Sequence, residues 1–401
     1  MTAVQPFQIQ VEQAVLDDLR ARLGRARRSP DLGATGWKYG TDPAYLDEFI
    51  EYWRSGFDWR QQEAQLNALP QFKADLDGNA LHFVHVKGRG PKPMPLLLLH
   101  GWPDSFCRYI KVIPEVSDPG QAGGNPEDAF DVVVPSLPGF PLTGPIAGPK
   151  DVPANRHTAR LLWRLMTETL GYDTFAVAGG DGGSVLAQIL AIEHPEAVIG
   201  VHLTDIGWHA TDGDHPKLTK AESKFLEEGK KHFMADGAYA AVQMSKPRSL
   251  AVGLNDSPVG LASWILDRFH SWTDSGDDVE KSVSRDDLLT NITLYWATQT
   301  IGSSMFSYFA ESRQPSLTAK DYVQRPVALA LFPKDGGAMP PRTFAERTLN
   351  LTRYTEMPRG GHFAALEEPA LFTADVTDFF RTLRGSPFKQ QEGTHHADAA
   401  H

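Results

Sequence analysis

The stretch FAVAGGDGGSVLAQILAI, residues 175–192, limits the folds open to this chain more than any other. Phe175, Ala176, Val177 and Ala178 form an unbroken apolar run, as in a short buried strand. Gly179-Gly180-Asp181-Gly182-Gly183 is a sharp turn, and residues 184–192 read as an apolar helix. The turn strains the backbone of Asp181, and bulky neighbours would collide with the adjoining strand and helix. A strand-to-helix corner of this kind presents a nucleophile, most often a serine, where this chain has Asp181. A plain glycine-rich turn with an incidental acid matches the same short pattern. The rest of the chain decides between the two.

Apolar runs of strand length recur on both sides. Residues 95–99 end in His100-Gly101-Trp102-Pro103, and residues 130–135 lead into Ser136-Leu137-Pro138-Gly139-Phe140. A helix over about residues 158–170 precedes the Asp181 corner, and residues 197–203 supply the next strand. Strands alternating with helices predict an α/β fold on a mostly parallel, doubly wound sheet. Asp77-Gly78 predicts a hairpin between residues 71–76 and 80–86. Nearer the N-terminus, Phe7, Ile9 and Val11 alternate as in a strand, and Leu16, Leu19 and Leu23 follow helical spacing. Residues 33–60 carry Trp37, Tyr39, Tyr45, Phe49, Trp53, Phe57 and Trp59, too apolar a set to stand in solvent. Residues 1–70 therefore read as an arm wrapped over another part of the protein.

After residue 207 the alternation stops. Residues 208–309 are mostly helical, with polar breaks at 211–215 and 273–284. They read as a helical cap inserted into a core made of residues 71–207 and 310–385. The sheet pattern resumes at residues 326–332 and ends in Pro333-Lys334-Asp335. Residues 353–357 form a last strand leading to Gly360-Gly361-His362-Phe363. Leu371, Phe372, Val376, Phe379, Phe380 and Leu383 mark the core face of a closing helix. Residues 386–401 are small and polar and read as a disordered tail, with His395, His396 and His401 as part of it rather than metal ligands.

Composition narrows the function classes. The chain has 401 residues, 41% of them hydrophobic, enough for one large domain or two with a sizeable core. A net charge of −11 disfavours nucleic acid and anionic membranes as partners. The single cysteine, Cys107, excludes an internal disulfide and suits a reducing cytoplasm. No apolar run approaches the roughly 20 residues of a membrane-spanning helix, and the first residues lack the pattern of a signal peptide. The expectation is a cytoplasmic protein without a membrane anchor, with homo-oligomerisation left open.

Three acid-base residues fall at strand ends in the order Asp181, Asp335, His362, that is nucleophile, acid, histidine. Asp335 alone reads equally well as a turn residue, and His362 alone as a buried histidine. Together, in this order, they outweigh those separate readings. The amide of Trp102, after an early strand, and that of Gly182, directly after Asp181, are placed to form an oxyanion hole.

These blocks resemble the epoxide hydrolases of the α/β-hydrolase superfamily, in the microsomal-type branch, over about residues 5–384. Gly36-Trp37-Lys38-Tyr39-Gly40, Phe57-Asp58-Trp59-Arg60, Leu66-Asn67 and Pro70-Gln71-Phe72 resemble the branch's N-terminal arm. HGWPDSF, PSLPGF, GGDGGS, LNDSPVGLASWILDRF, DDLLTNITLYW and RGGHFAALEEP resemble its other blocks. The membrane relatives carry an N-terminal anchor ahead of the arm, so this chain is expected to be soluble. The resemblance implies Asp181 as nucleophile, Asp335 as acid, His362 as base, and Tyr239 and Tyr308 as cap tyrosines that bind the epoxide oxygen. It implies an epoxide and water as partners and no cofactor or metal. Gly182 stands where relatives often have a bulky aromatic, which implies a roomier pocket floor. Gln243, four residues after Tyr239, shares its face if the segment is helical, and is expected to face the pocket. Two other readings stay open. A haloalkane dehalogenase forms the same aspartyl ester but needs N–H donors for the halide, for which Trp102 is a candidate. The other is a non-catalytic relative that only binds a small molecule.

Overall fold

The alternation of apolar runs with helices closes into one nine-stranded sheet in the order β1-β2-β3-β5-β4-β6-β7-β8-β9. The computed structural model describes residues 4–28, 33, 36–121, 123–145, 148, 154–207 and 217–385. The strands are β1 (Val4–Phe7), β2 (Gln71–Leu76), β3 (Asn79–Val86), β4 (Met94–Leu99), β5 (Phe130–Pro135), β6 (Phe175–Gly179), β7 (Val198–Leu203), β8 (Val323–Leu331) and β9 (Leu349–Glu356). β5, β4, β6, β7, β8 and β9 run parallel, while β1, β2 and β3 add antiparallel pairs at one edge. The β2–β3 turn has φ of 56° at Asp77 and 77° at Gly78, the left-handed pair that suits a tight hairpin. This is the mostly parallel α/β sheet the sequence predicts.

Burial explains the pattern. Leu96, Leu97, Leu98 and Leu99 of β4, and Phe175, Ala176, Val177 and Ala178 of β6, are completely enclosed, as expected of central strands covered on both faces. The closing helix, Pro369–Arg381, buries Phe372, Val376, Phe379 and Phe380, while Leu371 and Leu383 pack at its margin.

Several local expectations shift. Ile9 and Val11 lie beyond β1. Their amides are taken by side chains, Asn67 Oδ1 at 2.8 Å and Glu63 Oε1 at 2.7 Å, in place of a neighbouring strand. The helix before β6 spans Ala154–Arg164 and passes into a π-helical turn, Leu165–Thr169. The helix after Asp181 spans Gly182–Glu193, so it begins two residues earlier than its apolar run and makes Asp181 its N-cap. β8 begins at Val323, ahead of Pro326.

Between β7 and β8 the described chain is helical from Lys220–Asp236 to Phe306–Glu311, with an irregular stretch after the helix Pro258–Trp272 that includes a short 3-10 turn, Val279–Lys281. The arm docks on these helices. Trp53 Nε1 donates to Thr293 Oγ1 at 3.0 Å, Tyr52 to Asp286 at 2.9 Å, and Thr41 to the carbonyl of Ser263 at 2.7 Å. Trp37 stacks on His270 with ring centroids 4.0 Å apart. Phe49, Trp53, Phe57 and Trp59 are buried, with the Trp53 and Trp59 indoles each pairing the N–H, whereas Tyr39 stands largely exposed, against the expectation that the whole aromatic set is covered. Residues 208–216, with the polar break at 211–215, and the tail 386–401, with His395, His396 and His401, lie outside the described residues. Among the described residues, no helix is long and apolar enough to cross a membrane.

Candidate active site

The corner after β6 is built by close approach. A side chain on Gly179 would strike the carbonyl of Gly183, one on Gly183 the carbonyl of Leu99, and one on Gly101 the Asp181 carboxylate. Asp181 itself sits at φ 57° and ψ −129°, a conformation that costs a residue with a Cβ. Gly182 differs. The nearest atom to a Cβ built there is Gly101 Cα at 3.9 Å, so its glycine leaves open space beside the carboxylate rather than avoiding a collision.

The two oxygens of Asp181 have separate surroundings. Oδ1 accepts from the Trp102 amide at 2.9 Å and the Gly182 amide at 2.6 Å. Oδ2 lies 3.3 Å from His362 Nε2, an ion-pair contact longer than a well-formed hydrogen bond. His362 Nδ1 meets Asp335 Oδ1 at 2.7 Å. A carboxylate only accepts, so Nδ1 carries the proton there.

Asp335 and His362 come from adjacent loops after β8 and β9, joined by the Lys334 amide donating to the Gly360 carbonyl at 3.0 Å. The helical segment also grips the His362 loop. The His362 amide donates to the Trp272 carbonyl at 2.7 Å, and the Gly360 amide to Asp274 Oδ2 at 3.0 Å. Glu367 accepts from the Asp274 amide at 2.8 Å and the Phe363 amide at 3.0 Å. From below, Arg108 Nη2 donates to the His362 carbonyl at 2.7 Å, while its Nε pairs with Asp104 Oδ2 at 2.6 Å.

The electrostatics follow from this geometry. Burial alone would push the Asp181 carboxyl up; the His362 ring and the Trp102 and Gly182 amides outweigh it and hold it below its ordinary value. Burial pushes His362 down, but Asp335 and Asp181 pull it up to about 10. The resting pair is an imidazolium between two carboxylates.

Tyr239, on the helix Ala238–Ser245, and Tyr308, on Phe306–Glu311, share a hydrogen bond, with ring centroids 6.1 Å apart. Trp102 stacks on Tyr239 at 5.6 Å and meets Tyr308 edge-on at 5.9 Å. Burial first, with the Asp181 charge adding to it, pushes both phenols upward, so each remains a protonated donor. Asp181, Asp335, His362, Trp102, Tyr239 and Tyr308 line one cavity of about 1830 Å³.

Gln243 departs from expectation. It shares a helix with Tyr239, yet it does not line the cavity; it is fully buried, and neither amide atom has a hydrogen-bond partner among the described residues. Spacing of four put both residues on one face, yet only Tyr239 reaches the cavity; the helices Pro247–Asp256 and Phe306–Glu311 pack against this one. Sequence reading also passed over Arg108, Glu367 and Asp205. Only Asp205 carried a usable signal, as an acid just past the end of a parallel strand. Among the described residues, no group of three or more His, Cys, Asp or Glu side chains is arranged to hold a metal ion.

A mostly parallel sheet with a strand-to-helix corner, an acid and a histidine at successive strand ends defines an α/β-hydrolase, and residues 94–240 match the family model described as the alpha/beta hydrolase fold. Residues 4–109 match the model described as the epoxide hydrolase N terminus. The chain is 35% identical to epoxide hydrolase 1 of Oryctolagus cuniculus over 408 residues, covering 94% of this chain and 88% of that protein. The solved structure of Aspergillus niger epoxide hydrolase matches with a TM-score of 0.81 at 29% identity, covering 95% of this chain and 97% of that one. The juvenile hormone epoxide hydrolase of the silkworm Bombyx mori matches with a TM-score of 0.84 at 27% identity, covering 96% and 95%. The chain belongs to the epoxide hydrolase family.

Proposed function

We propose that this epoxide hydrolase converts an epoxide to a vicinal diol in two half-reactions on Asp181, with residues 208–309 acting as the cap and residues 1–70 as the arm that braces it. The observation that carries this reading is the division of labour at Asp181: Oδ1 is held by two amides, while Oδ2 faces His362 in a cavity roofed by two phenols.

In the first half-reaction Asp181 Oδ2 attacks a ring carbon of the epoxide and the carbon–oxygen bond breaks. A carboxylate suits attack at saturated carbon because it needs no base to activate it. The departing alkoxide takes a proton from Tyr239 or Tyr308, and the phenolate is reprotonated from water. The product is an alkyl ester whose carbonyl oxygen, Oδ1, already rests on the Trp102 and Gly182 amides. With the Asp181 charge gone, His362 loses one of the two carboxylates that raise its proton affinity and releases its extra proton to solvent. Neutral His362, oriented by Asp335, then takes a proton from water as the water adds to the ester carbonyl. Charge develops on Oδ1, where the two amides wait. Collapse breaks the bond from the carbonyl carbon to the diol oxygen, His362 returns the proton to that oxygen, and the new Asp181 carboxylic acid passes its proton to His362, which restores the carboxylate and the imidazolium.

A halide-releasing reading rests on the indole N–H of Trp102, which has no hydrogen-bond partner among the described residues, whereas two phenols fit a developing alkoxide better. An intact Asp181–His362–Asp335 array argues against a purely binding role. The cavity's size and the aromatic wall of Trp102, Tyr239 and Trp272 support a bulky, aryl-bearing epoxide as substrate. The acidic charge balance and lone cysteine support a cytoplasmic site of action.

Tyr239→Phe and Tyr308→Phe are each expected to slow ester formation about 10- to 100-fold, and the double variant by more than either alone, with ester hydrolysis little changed. Stopped-flow of single turnovers on styrene oxide, with diol and halide release measured beside a haloalkane control, checks this. Unchanged ester formation in the double variant would remove the phenols from the mechanism.

The pH dependence has a definite sign. Hydrolysis of the ester needs neutral His362, so its rate should rise with pH and level off above the His362 pKa in the ester form. That value lies below the about 10 of the free enzyme, because the Asp181 charge that helped raise it is gone. Quenched-flow of ester decay from about pH 5 to 10 gives the curve, and a flat profile would rule out His362 as the base.

A further inference from the structure

Asp205 lies two residues past the end of β7, in the row of strand ends between Asp181 and Asp335, and lines the same cavity. Three donors converge on it. Oδ2 accepts from the main-chain amide of Asp181 at 2.7 Å and from the Ser184 hydroxyl at 3.0 Å, and Oδ1 accepts from the Gly207 amide at 2.9 Å. The first of these is the amide of the residue held at φ 57°. A carboxylate is therefore fastened to the most strained point of the corner, and a charge-assisted bond is about twice as strong as a neutral one. Ser184 ties the clamp to the first turn of the following helix and also donates to the Gly179 carbonyl at 3.1 Å. The charged and titratable groups around Asp205 are Asp181, Asp335, His362, the buried Arg108 guanidinium and the Tyr109 phenol.

We propose that Asp205 is a positioning residue for the nucleophile: it clamps the Asp181 main chain so that Oδ2 faces the epoxide carbon, and its charge adds to the field that keeps a proton on His362. This rests on the two-step reading of Asp181 given above. Burial, with the neighbouring Asp335 charge, raises the Asp205 carboxyl to about 6, so it is ionised above that pH.

Asp205→Asn keeps the shape but replaces one acceptor by an NH2 group, which must then face one of the three donors. Ester formation in single turnovers is expected to fall about tenfold or more with KM little changed. The acid limb of ester hydrolysis should move to lower pH, because one negative charge near His362 is gone. A residue that only supported the fold would lower the melting temperature and leave that limb in place. Ester formation within about twofold of the parent, or a slowed variant with an unmoved limb, overturns the proposal. Should Asp205→Asn fail to fold, Ser184→Ala strips one donor from the same oxygen. It is expected to slow ester formation about threefold, and an unchanged rate overturns the clamp. Absence of any ester in the parent refutes the two-step reading itself. A normal parent ester with an unaffected Asp205→Asn variant refutes the clamp alone.

Discussion

His362→Gln is expected to stop the enzyme at its ester. Asp181 loses the His362 ring that does most to hold its carboxyl down, so its pKa rises in this variant, but it keeps the bonds from the Trp102 and Gly182 amides and still attacks the epoxide at a pH where it is ionised. The phenols above the cavity are untouched. What disappears is the group that takes a proton from water, and glutamine cannot replace it. Turnover should fall by about 10³-fold or more, at the upper end of what general base catalysis supplies. Intact-protein mass spectrometry of the variant mixed with styrene oxide should show a gain of one epoxide mass per chain. Peptide mapping should place it on the peptide that contains Asp181. A variant that makes no diol and shows no adduct would mean that His362 acts in the first step, and the division of roles would fall.

The second large effect concerns the origin of the diol oxygen. With enzyme in excess in ¹⁸O-water, the first turnover should give mostly unlabelled diol, because the added oxygen is Oδ2 of Asp181. The label enters when water attacks the ester carbonyl, so it should appear in the Asp181 peptide. Under multiple turnovers the diol should become labelled as the marked carboxylate is used again. Asp181→Asn should lose at least about 10⁴-fold in kcat, since a neutral amide is no nucleophile at saturated carbon. Labelled diol in the first turnover, with no label in Asp181, would make water the direct attacking group and Asp181 a bystander.

Some of this machinery was legible in the chain because it is local. A buried strand, a glycine cluster and an apolar helix occupy eighteen consecutive residues around Asp181, and steric exclusion at Gly179 is a consequence of a neighbour in sequence, whereas Gly183 is kept small by the Leu99 carbonyl of the adjacent strand. The strand-end position of Asp335 follows from the apolar run 326–332 that stops just before it, while His362 follows a mixed strand and was placed by the alternation of elements alone. Periodicity reports which face of an element is apolar. It does not report which element covers that face, and Gln243 shows the difference: its spacing from Tyr239 was helical as expected, yet it is buried and does not line the cavity. Ile9 and Val11 make the same point at the arm, where Asn67 and Glu63 end the strand by taking its amides.

By itself, then, the sequence determined the parallel sheet, the corner that carries Asp181, and the order Asp181, Asp335, His362, all of which depend on short-range sterics and on the period of apolar residues. Only the tertiary structure decided what surrounds Asp181. The Trp102 amide reaches Oδ1 from 79 residues away, Tyr239 and Tyr308 meet over Trp102 from separate helices, and Asp205 fastens the corner from the neighbouring strand. These are through-space contacts between segments far apart in the chain. Their geometry is set by how the sheet, the arm and the helical segment pack, and packing of that kind leaves no local period to read.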